Sequence, residues 1–285
     1  MLEFENVSYV YGANTPFEKK ALDDVSFKIE KGKVTGIIGH SGSGKSTLAQ
    51  LMNALYKPTS GRVLLGGQDI NRDAKTSHGA RFRVGLVFQY PEYQLFEESV
   101  GADIAYGPRN MELSEEEIRE RVKNAARFTG LSEEILERSP FELSGGQKRR
   151  CAIAGVIAMN PEVLVLDEPA AGLDPKGRSE ILGGLMDYHR RRGNSLVIIS
   201  HSMEDIAEYS DSIIAMSQGK LLCSGTPHEV FSNYDILRES GLSLPEVTQV
   251  MHGLCEKGAN INPALYTVDQ AFDELLPKLR KKDEK

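Results

Sequence analysis

The segment from residue 39 to residue 46 has the composition and spacing best suited to chemistry in this chain. It matches the pattern G-x-x-x-x-G-K-S/T, in which glycines allow backbone N–H groups to approach phosphate oxygens. In this pattern Lys45 contacts the β- and γ-phosphates and Ser46 the Mg²⁺ ion. An apolar run at residues 34–38 precedes the loop, and apolar spacing typical of a helix follows it over residues 46–55. This strand-before, helix-after context favours a nucleotide site over a structural glycine turn.

A pair of acids closes another apolar run, at residues 163–168. The pattern predicts Asp167 beside the metal and Glu168 placed to orient or deprotonate an attacking water. Many buried strands also end in Asp-Glu for capping or ion pairing, so the pair alone is a weak signal. Its position downstream of the phosphate loop favours the catalytic interpretation.

A second glycine-rich segment lies between these two motifs, at residues 143–147. It contains a serine and a glutamine and no lysine, which suits contact with a nucleotide from outside the pocket that holds it. The segment therefore indicates that a partner subunit completes each site.

The elements that must position these residues follow from hydrophobic periodicity. Residues 2–7 and 25–29 alternate apolar and polar side chains, which predicts half-exposed antiparallel strands. Four other runs are continuously apolar: residues 34–38, 84–88, 163–167 and 195–200. Because helical stretches separate them, they predict a mostly parallel sheet covered on both faces.

The predicted fold class is α/β: a phosphate-loop NTPase core with an antiparallel β subdomain, a helical subdomain carrying residues 143–147, and a C-terminal helical appendage. The charged, amphipathic stretch 114–130 places the helical subdomain at about residues 93–162. We divide the chain into a nucleotide-binding domain at 1–233 and the appendage at 234–285.

The appendage shows two helical patterns. The first has an apolar face formed by Val247, Val250, Met251 and Leu254. The second begins at a capping box, Thr267 to Gln270, and is expected to turn Phe272, Leu275, Leu276 and Leu279 inward. Residues 278–285 are expected to form a solvated, charged tail.

Composition narrows the class of function. The 285 residues include 40% hydrophobic residues and carry a net charge of −7, which disfavours nonspecific binding to nucleic acid. The three cysteines lack metal-ligand spacing, so a reduced interior is expected. No signal peptide or membrane-spanning run is predicted, so a membrane role would place the chain beside the bilayer.

Together these motifs closely resemble the nucleotide-binding subunits of ATP-binding cassette (ABC) transporters, over roughly residues 1–232. The resemblance implies that Gln89 links the metal site to a membrane partner, that residues 143–147 are the signature segment, that Asp174 is an inter-subunit loop acid, and that His201 is the switch histidine. It also implies an aromatic at Tyr11 stacked on adenine, although plain packing is the alternative there. A hydrogen-bonded strand-end residue is the alternative for His201.

The resulting site prediction has three parts. The catalytic candidates are Glu168, His201 and Gln89, and the candidate ligands of Mg²⁺ are Ser46, Gln89 and Asp167. The candidate ATP-binding residues are Tyr11, Gly39, His40, Ser41, Gly42, Ser43, Gly44, Lys45, Ser46, Thr47, Ser144, Gly145, Gly146, Gln147 and Asp174.

Three segments, at residues 87–96, 141–150 and 244–247, are similar to the second ATPase subunit of prokaryotic energy-coupling factor importers. That resemblance implies a homologous ATPase partner, a transmembrane coupling subunit and a membrane substrate-binding subunit, with vitamins or transition-metal ions as cargo. Residues 90–96 are the expected contact with the membrane partner, with packing of the helical subdomain as the alternative. The chain would then lie on the cytoplasmic side of the cell membrane, and no nucleic-acid partner is expected.

Other readings remain open at this point. The chain could serve another ABC transporter class, or be a soluble ABC ATPase in DNA repair or translation. The single cassette, the absence of sustained heptads and the acidic balance speak against the soluble class. A nonhydrolysing regulatory subunit is opposed by Glu168 and His201 together. The pattern does not identify the cargo or decide whether the dimer is homomeric or heteromeric. It also leaves open whether the appendage strengthens the dimer, regulates it or is inert.

Overall fold

The structure is a computed structural model that describes residues 1–283, with side chains to residue 279. The strands are β1 (Leu2–Tyr11), β2 (Lys19–Ile29), β3 (Val34–Gly39), β4 (Ser60–Leu65), β5 (Gln68–Asp69), β6 (Val84–Val87), β7 (Val163–Asp167), β8 (Ser195–Ile199), β9 (Ser212–Ser217) and β10 (Lys220–Gly225). The α-helices are α1 (Lys45–Met52), α2 (Ala74–Arg83), α3 (Val100–Asn110), α4 (Glu115–Phe128), α5 (Gly145–Ile157), α6 (Pro175–Arg192), α7 (Met203–Tyr209), α8 (Pro227–Ser232), α9 (Tyr234–Glu239), α10 (Glu246–Glu256) and α11 (Val268–Asp283). Residues 284 and 285, the end of the expected charged tail, lie outside the described residues.

A six-stranded sheet forms the centre, in the order β10-β9-β3-β8-β7-β6. Strands β9, β3, β8, β7 and β6 run parallel, and β10 is antiparallel to β9. The carboxyl ends of the parallel strands therefore meet at one edge of the sheet, which is where ligands bind in open α/β sheets. The mostly parallel sheet expected from the sequence is confirmed.

Alternate side chains of the sheet enter two separate hydrophobic cores. On β7, Leu164 and Leu166 face the core that contains the helical segment, and Val163 and Val165 face the core shared with the antiparallel sheet. All residues of β3, β6, β7 and β8 are buried. Burial on both faces explains why these strands read as continuous apolar runs rather than alternating ones.

A second, antiparallel sheet has the order β2-β1-β4-β5 and covers one face of the centre. The sequence pattern predicts β1 and β2 but misses β4, β5, β9 and β10. Of these, β5 has only two residues, and β4 begins with three exposed residues. Such strands have no periodicity long enough to recognise. Strand β4 forms by pairing with β1, and β5 by pairing with β4.

Helix α1 is shorter than the helical spacing predicted, because it ends at Met52 instead of continuing to Leu55. Ala54 adopts a left-handed conformation, with φ of 54°, which cannot continue a right-handed helix. Leu55 is consequently exposed.

Helices α3, α4 and α5, with 3₁₀ turns at Pro91–Gln94, Glu133–Glu137 and Pro140–Glu142, occupy the region for which a helical subdomain is predicted. Helix α4 buries Ile118, Val122 and two alanines on one face. A capping box fixes the start of α4: the Ser114 hydroxyl accepts a hydrogen bond from the N–H of Glu117, and the Glu117 carboxylate accepts one from the N–H of Ser114.

The C-terminal helices differ in part from the prediction. The capping box of α11 is confirmed, since Thr267 and Gln270 exchange hydrogen bonds of 3.3 Å. The inward placement of Phe272 and Leu279 is wrong, because they are 59% and 61% exposed, and Val250 on α10 is exposed as well. Helices α10 and α11 contact each other along one side only, which leaves these apolar residues at the surface. Among the described residues, no helix has the length and apolarity to cross a bilayer.

Candidate functional site

A cleft of about 450 Å³ opens at the carboxyl edge of the central sheet. Four of the five parallel strands carry a predicted site residue at or just after their carboxyl end. Strand β3 is followed by the phosphate loop and β6 by Gln89, β7 ends at Asp167, and β8 is followed by His201. The cleft is lined by Tyr11, Lys19, Lys20, Ala21, Ser41, Gly42, Gly44, Lys45, Ser46, Thr47, Gln89, Asp167, Glu168, His201, Gln218 and Gly219. The fold thus brings residues up to 208 positions apart in the chain, Tyr11 and Gly219, to one site.

The phosphate loop connects β3 to α1 and depends on its glycines for its shape. Gly44 has φ of 103°, and a Cβ there would lie 2.7 Å from Leu22 and 2.8 Å from the carbonyl oxygen of Ala21. Only glycine fits this conformation and this close approach. The loop therefore packs closely against β2. Its N–H groups and the start of α1 are directed at the cleft.

Lys45 extends across the loop and is 7% exposed. Its Nζ donates hydrogen bonds to the carbonyl oxygens of Gly39 and His40, at 2.7 and 3.1 Å. Burial lowers the pKa of the Lys45 ammonium, and the charges of Glu168 and Asp167 partly oppose this. The two carbonyls hold the ammonium at the cleft wall, where an anionic phosphate group would be a stronger partner.

Asp167 ends β7 beside Ser46 and is 6% exposed. Burial raises the pKa of its carboxyl group, while a hydrogen bond from Ser46 and the charges of Lys45 and His201 lower it without cancelling the rise. A carboxylate, a hydroxyl and the amide of Gln89 thus share the same cleft. Such hard oxygen donors suit Mg²⁺. Because the neighbouring groups do not fully offset the cost of burying the charge of Asp167, a cation bound beside this carboxylate would be favourable.

Glu168 is buried and adopts a left-handed backbone conformation, with φ of 54°. Its Oε1 lies 3.5 Å from Nε2 of His201 and has no hydrogen-bond partner among the described residues. Burial raises the pKa of Glu168 to about 7, with a further contribution from the charge of Asp167. A carboxylate with this pKa and an unsatisfied oxygen fits a general base that holds a water molecule.

His201 follows β8 and is exposed on the cleft side. Burial of the ring lowers its pKa, and the positive charge of Lys45 lowers it further. The imidazole is therefore neutral at physiological pH and has one ring N–H that can donate a hydrogen bond to an anion in the cleft.

Tyr11, on β1, also lines the cleft. Its hydroxyl lies 3.1 Å from Oγ1 of Thr47, and its ring meets Tyr9 and Tyr56 edge-on, with centroid distances of 4.9 and 5.8 Å. These contacts fix the ring without covering its cleft side, so packing and a stacking role are both compatible with its position.

Three residues of the phosphate loop that the sequence predicts as ATP-binding do not line the cleft: Gly39, His40 and Ser43. Gly39 is buried at the end of β3, and Ser43 is fully buried beneath the loop. They shape the loop from below, because a Cβ at Gly39 would lie 2.7 Å from the carbonyl oxygen of Met216.

The signature residues lie elsewhere on the surface. Ser144 caps α5, Gly145 and Gly146 have no atom within 4 Å of where a Cβ would stand, and Gln147 completes a capping box. Asp174 is also exposed and caps α6 by accepting a bond of 2.8 Å from the N–H of Gly177. The structure therefore does not bring these residues to the cleft of their own chain.

Five cleft residues are absent from the sequence-based prediction: Lys19, Lys20, Ala21, Gln218 and Gly219. Lys19 pairs with Tyr11 in the β1–β2 register, so its side chain shares a face with that ring. Gln218 and Gly219 form the turn after β9, a parallel neighbour of β3. Assigning β9 from its apolar run would have located the turn through the rule that ligands bind at carboxyl ends.

The chain is similar to known proteins along most of its length. A family described as ABC transporter matches residues 22–171. The energy-coupling factor transporter ATP-binding protein EcfA2 of Clostridium tetani is 52% identical over 276 residues, 96% of each protein. The protein of the same name from Caldanaerobacter subterraneus is 49% identical over 98% of each.

Two solved structures extend these similarities to the fold. CbiO1 of Clostridium perfringens, described as part of the ABC transporter complex CbiONQ, matches with a TM-score of 0.74 at 41% identity, covering 88% of this chain and 98% of that one. A dimeric ATP-binding cassette in a post-hydrolysis state with ADP and Pi matches with a TM-score of 0.72 at 28% identity, covering 79% and 98%.

Proposed function

Because the chain belongs to the ABC transporter family and is an ATPase of that family, we propose that it hydrolyses ATP as a subunit of an energy-coupling factor importer. The importer would drive uptake of vitamins or transition-metal ions through membrane partners. The observation that carries this assignment is the 52% identity to an energy-coupling factor ATPase over 96% of both proteins. A likeness of that extent includes the helices after residue 233, beyond the cassette itself.

In this proposal ATP occupies the cleft with its phosphates at the loop and its base at Tyr11. Lys45 exchanges its two carbonyl partners for β- and γ-phosphate oxygens, and the N–H groups of residues 42–47 surround the phosphates. The exposed Lys19 and Lys20 add positive charge to the wall beside Tyr11. Their charge suits a nucleotide whose phosphates carry several negative charges.

Ser46, Gln89 and Asp167 would hold Mg²⁺, since they place a hydroxyl, an amide and a carboxylate around one part of the cleft. When bound, the ion neutralises charge on the phosphates.

Glu168 accepts a proton from the attacking water through its unpartnered Oε1, and His201 donates a hydrogen bond to the γ-phosphate. The raised pKa keeps Glu168 basic enough to accept that proton near neutral pH. Since Lys45 is on the same wall, its charge stabilises the negative charge that develops on the transferred phosphoryl group.

A second cassette subunit would complete each site. Ser144 and Asp174 are exposed and lie outside the cleft of their own chain, which leaves them free to contact a partner's nucleotide and loop. The N-terminus of α5 presents N–H groups at Gly145 and Gly146 with no side chain covering them. A homologous ATPase is the proposed partner, and a pair of identical chains is possible when the chain is isolated.

A groove of about 340 Å³ beside the segment after Gln89 would receive the membrane partner. Its walls include Phe88, Leu95 and Tyr106, and the neighbouring Tyr93 is 85% exposed. Exposed aromatic residues around an apolar groove suit a helix of a partner. We place the cytoplasmic helices of a transmembrane coupling subunit here, which puts the chain on the cytoplasmic side of the membrane, with a substrate-binding membrane subunit joined to that assembly.

The test of this proposal is affinity purification of the tagged chain from its native membrane in mild detergent, followed by mass spectrometry and an ATPase assay. We expect a second cassette ATPase, a polytopic membrane protein and ATP hydrolysis that Glu168→Gln abolishes. Recovery of only soluble or nucleic-acid-associated proteins would contradict the importer assignment, and turnover unchanged in Glu168→Gln would contradict the proposed base.

A further inference from the structure

Arg149 is a charged residue buried within α5, with 4% of its surface exposed. Its Nε and Nη2 donate hydrogen bonds of 3.1 and 2.8 Å to the two carboxylate oxygens of Glu92. Its Nη1 donates to the backbone carbonyl oxygen of Ala171. One guanidinium thus joins a helix to two separate segments.

Each of those segments carries a residue of the proposed ATPase machinery. Glu92 lies in the 3₁₀ turn Pro91–Gln94, three residues after Gln89. Ala171 lies in the loop between Glu168 and Asp174, and its N–H donates a 3.2 Å bond to the carbonyl oxygen of Glu168. Arg149 itself lies on the helix that Ser144 caps.

The ion pair between Arg149 and Glu92 is unusually buried and depends on the geometry of the guanidinium. In the described part of the chain, no other ion pair has both partners as deeply buried as Arg149 and Glu92, whose side chains are 5% and 17% exposed. Burying two charges costs free energy that only good geometry offsets. The planar fork of arginine supplies it, since a lysine cannot bind both carboxylate oxygens and the carbonyl together.

The pair also lies away from the nucleotide, because neither Arg149 nor Glu92 lines the cleft. Although burial of Glu92 opposes its ionisation, the bonds from Arg149 hold its pKa below the ordinary value, so the pair stays charged. Its influence on ATP must pass through the segments it holds.

We propose that Arg149 is a positioning residue for ATP hydrolysis, which holds the segments of Gln89, Ser144 and Asp174 in one relative arrangement. Through it, a shift of the membrane-facing turn at Glu92 moves both the signature helix and the loop that ends at Asp174. This inference rests on the proposed ATPase function.

The experiment compares Arg149→Lys and Glu92→Gln with a matched control, Arg83→Lys. Arg83 also grips a carboxylate with two bonds, of 2.7 and 3.1 Å to Glu162, but contacts none of these segments. All variants are assayed as the full chain in the assembly purified from membranes, with thermal unfolding confirming that they fold.

We expect kcat to fall about tenfold or more in Arg149→Lys and Glu92→Gln, because small misplacements of catalytic groups have effects of that order. The KM for ATP and the binding of a fluorescent ATP analogue should stay within about twofold, because the phosphate loop is untouched. Arg83→Lys should match the wild type in both quantities.

A double variant separates positioning from general stabilisation. If Arg149 acts through the loop to Asp174, the double variant Arg149→Lys/Asp174→Ala should have a kcat no lower than that of the slower of the two single variants. Multiplication of the two single effects would overturn the proposal, because it would show that the residues act independently.

The remaining outcomes are also decisive. Wild-type hydrolysis that depends on Glu168, together with normal kcat in both Arg149→Lys and Glu92→Gln, would overturn the positioning role and leave the proposed function intact. Equal losses in kcat and in ATP binding would likewise overturn it, as a purely structural role. Absence of hydrolysis in the wild type would instead overturn the proposed function. If Arg149→Lys does not fold, the isosteric Glu92→Gln decides the same questions.

Discussion

Glu168 combines features that a merely structural carboxylate would avoid. It is buried next to a second acid, its backbone is left-handed, and one of its oxygens has no hydrogen-bond partner among the described residues. Unsatisfied buried oxygens and backbone strain both cost free energy. Their coincidence at one residue in the cleft is typical of a catalytic position and leads to two predictions.

The first concerns the pH dependence of hydrolysis. The pKa of Glu168 is about 7, and only its deprotonated form can accept a proton from water. We therefore expect kcat/KM for ATP to rise with pH through a midpoint near neutrality, measured from about pH 5.5 to about pH 8.5. A profile that is flat over this interval would contradict the role of Glu168 as base.

The second concerns stability. The pKa of Glu168 in the folded chain is raised from 4.5 to about 7, so between these values the folded state holds a proton that the unfolded state has lost. The free energy of unfolding must then fall as pH rises through this window. Because the side chain in Glu168→Gln does not titrate, the Tm of this variant minus the Tm of the wild type should increase as pH rises. The difference should become constant above the pKa of Glu168 in the folded chain. A Tm difference independent of pH would show that the side chain is not strained by ionisation.

At the scale of elements, the serine that caps α5 has a proposed second role, in contact with a partner's nucleotide, which comparison with another capped helix can test. Ser144 and Ser114 both form capping boxes, on α5 and α4, with the same bond of 3.3 Å to the third helical N–H. Their local contributions to helix stability should therefore be similar, about 1 kcal/mol each. Only α5 begins at the segment proposed to face a partner's nucleotide.

We predict that Ser144→Ala and Ser114→Ala lower the free energy of unfolding alike, by about 1 kcal/mol. Ser144→Ala alone should also reduce kcat, on the order of a hundredfold, as expected when a donor to a developing charge is lost. Chemical denaturation and a steady-state ATPase assay on the purified assembly measure both effects. Equal turnover in the two variants would argue against a partner-facing role for α5.

At the scale of the whole molecule, the chain presents only part of a complete ATPase site. The cleft contains the phosphate loop, the two acids and His201, whereas the signature residues and Asp174 are on other parts of the surface. The aromatic groove lies at a third place, around Leu95 and Tyr106. In the proposed function, a single chain therefore offers separate surfaces for the nucleotide, for a second cassette and for a membrane partner.

We predict that Tyr93→Ala weakens co-purification of the polytopic membrane partner without lowering the Tm of the isolated chain, because its side chain is 85% exposed. Phe17→Ala is the matched control, since Phe17 is 87% exposed and lies away from the groove. Recovery of the membrane partner should be reduced only in Tyr93→Ala. Equal recovery with both variants would place the membrane contact elsewhere.

The sequence by itself determined the α/β class, the six buried or half-exposed strands with clear periodicity, and the identity of the chemical groups. The phosphate loop and the Asp167–Glu168 pair could be recognised locally, because their chemistry depends on neighbours in the chain. Strand β9 carried a readable apolar run, whereas β4 forms by pairing with the distant strand β1, and β5 and β10 form by pairing with β4 and β9.

Only the tertiary structure decided which groups share a site. Lys19 and the turn at Gln218 line the cleft because β2 and β9 lie beside β1 and β3. Arg149 reaches both Glu92 and Ala171 because two separate segments pack against α5. The raised pKa of Glu168 likewise arises mainly from burial, which a residue type does not reveal. Such properties depend on contacts between residues far apart in the chain, and those contacts exist only once the core has packed.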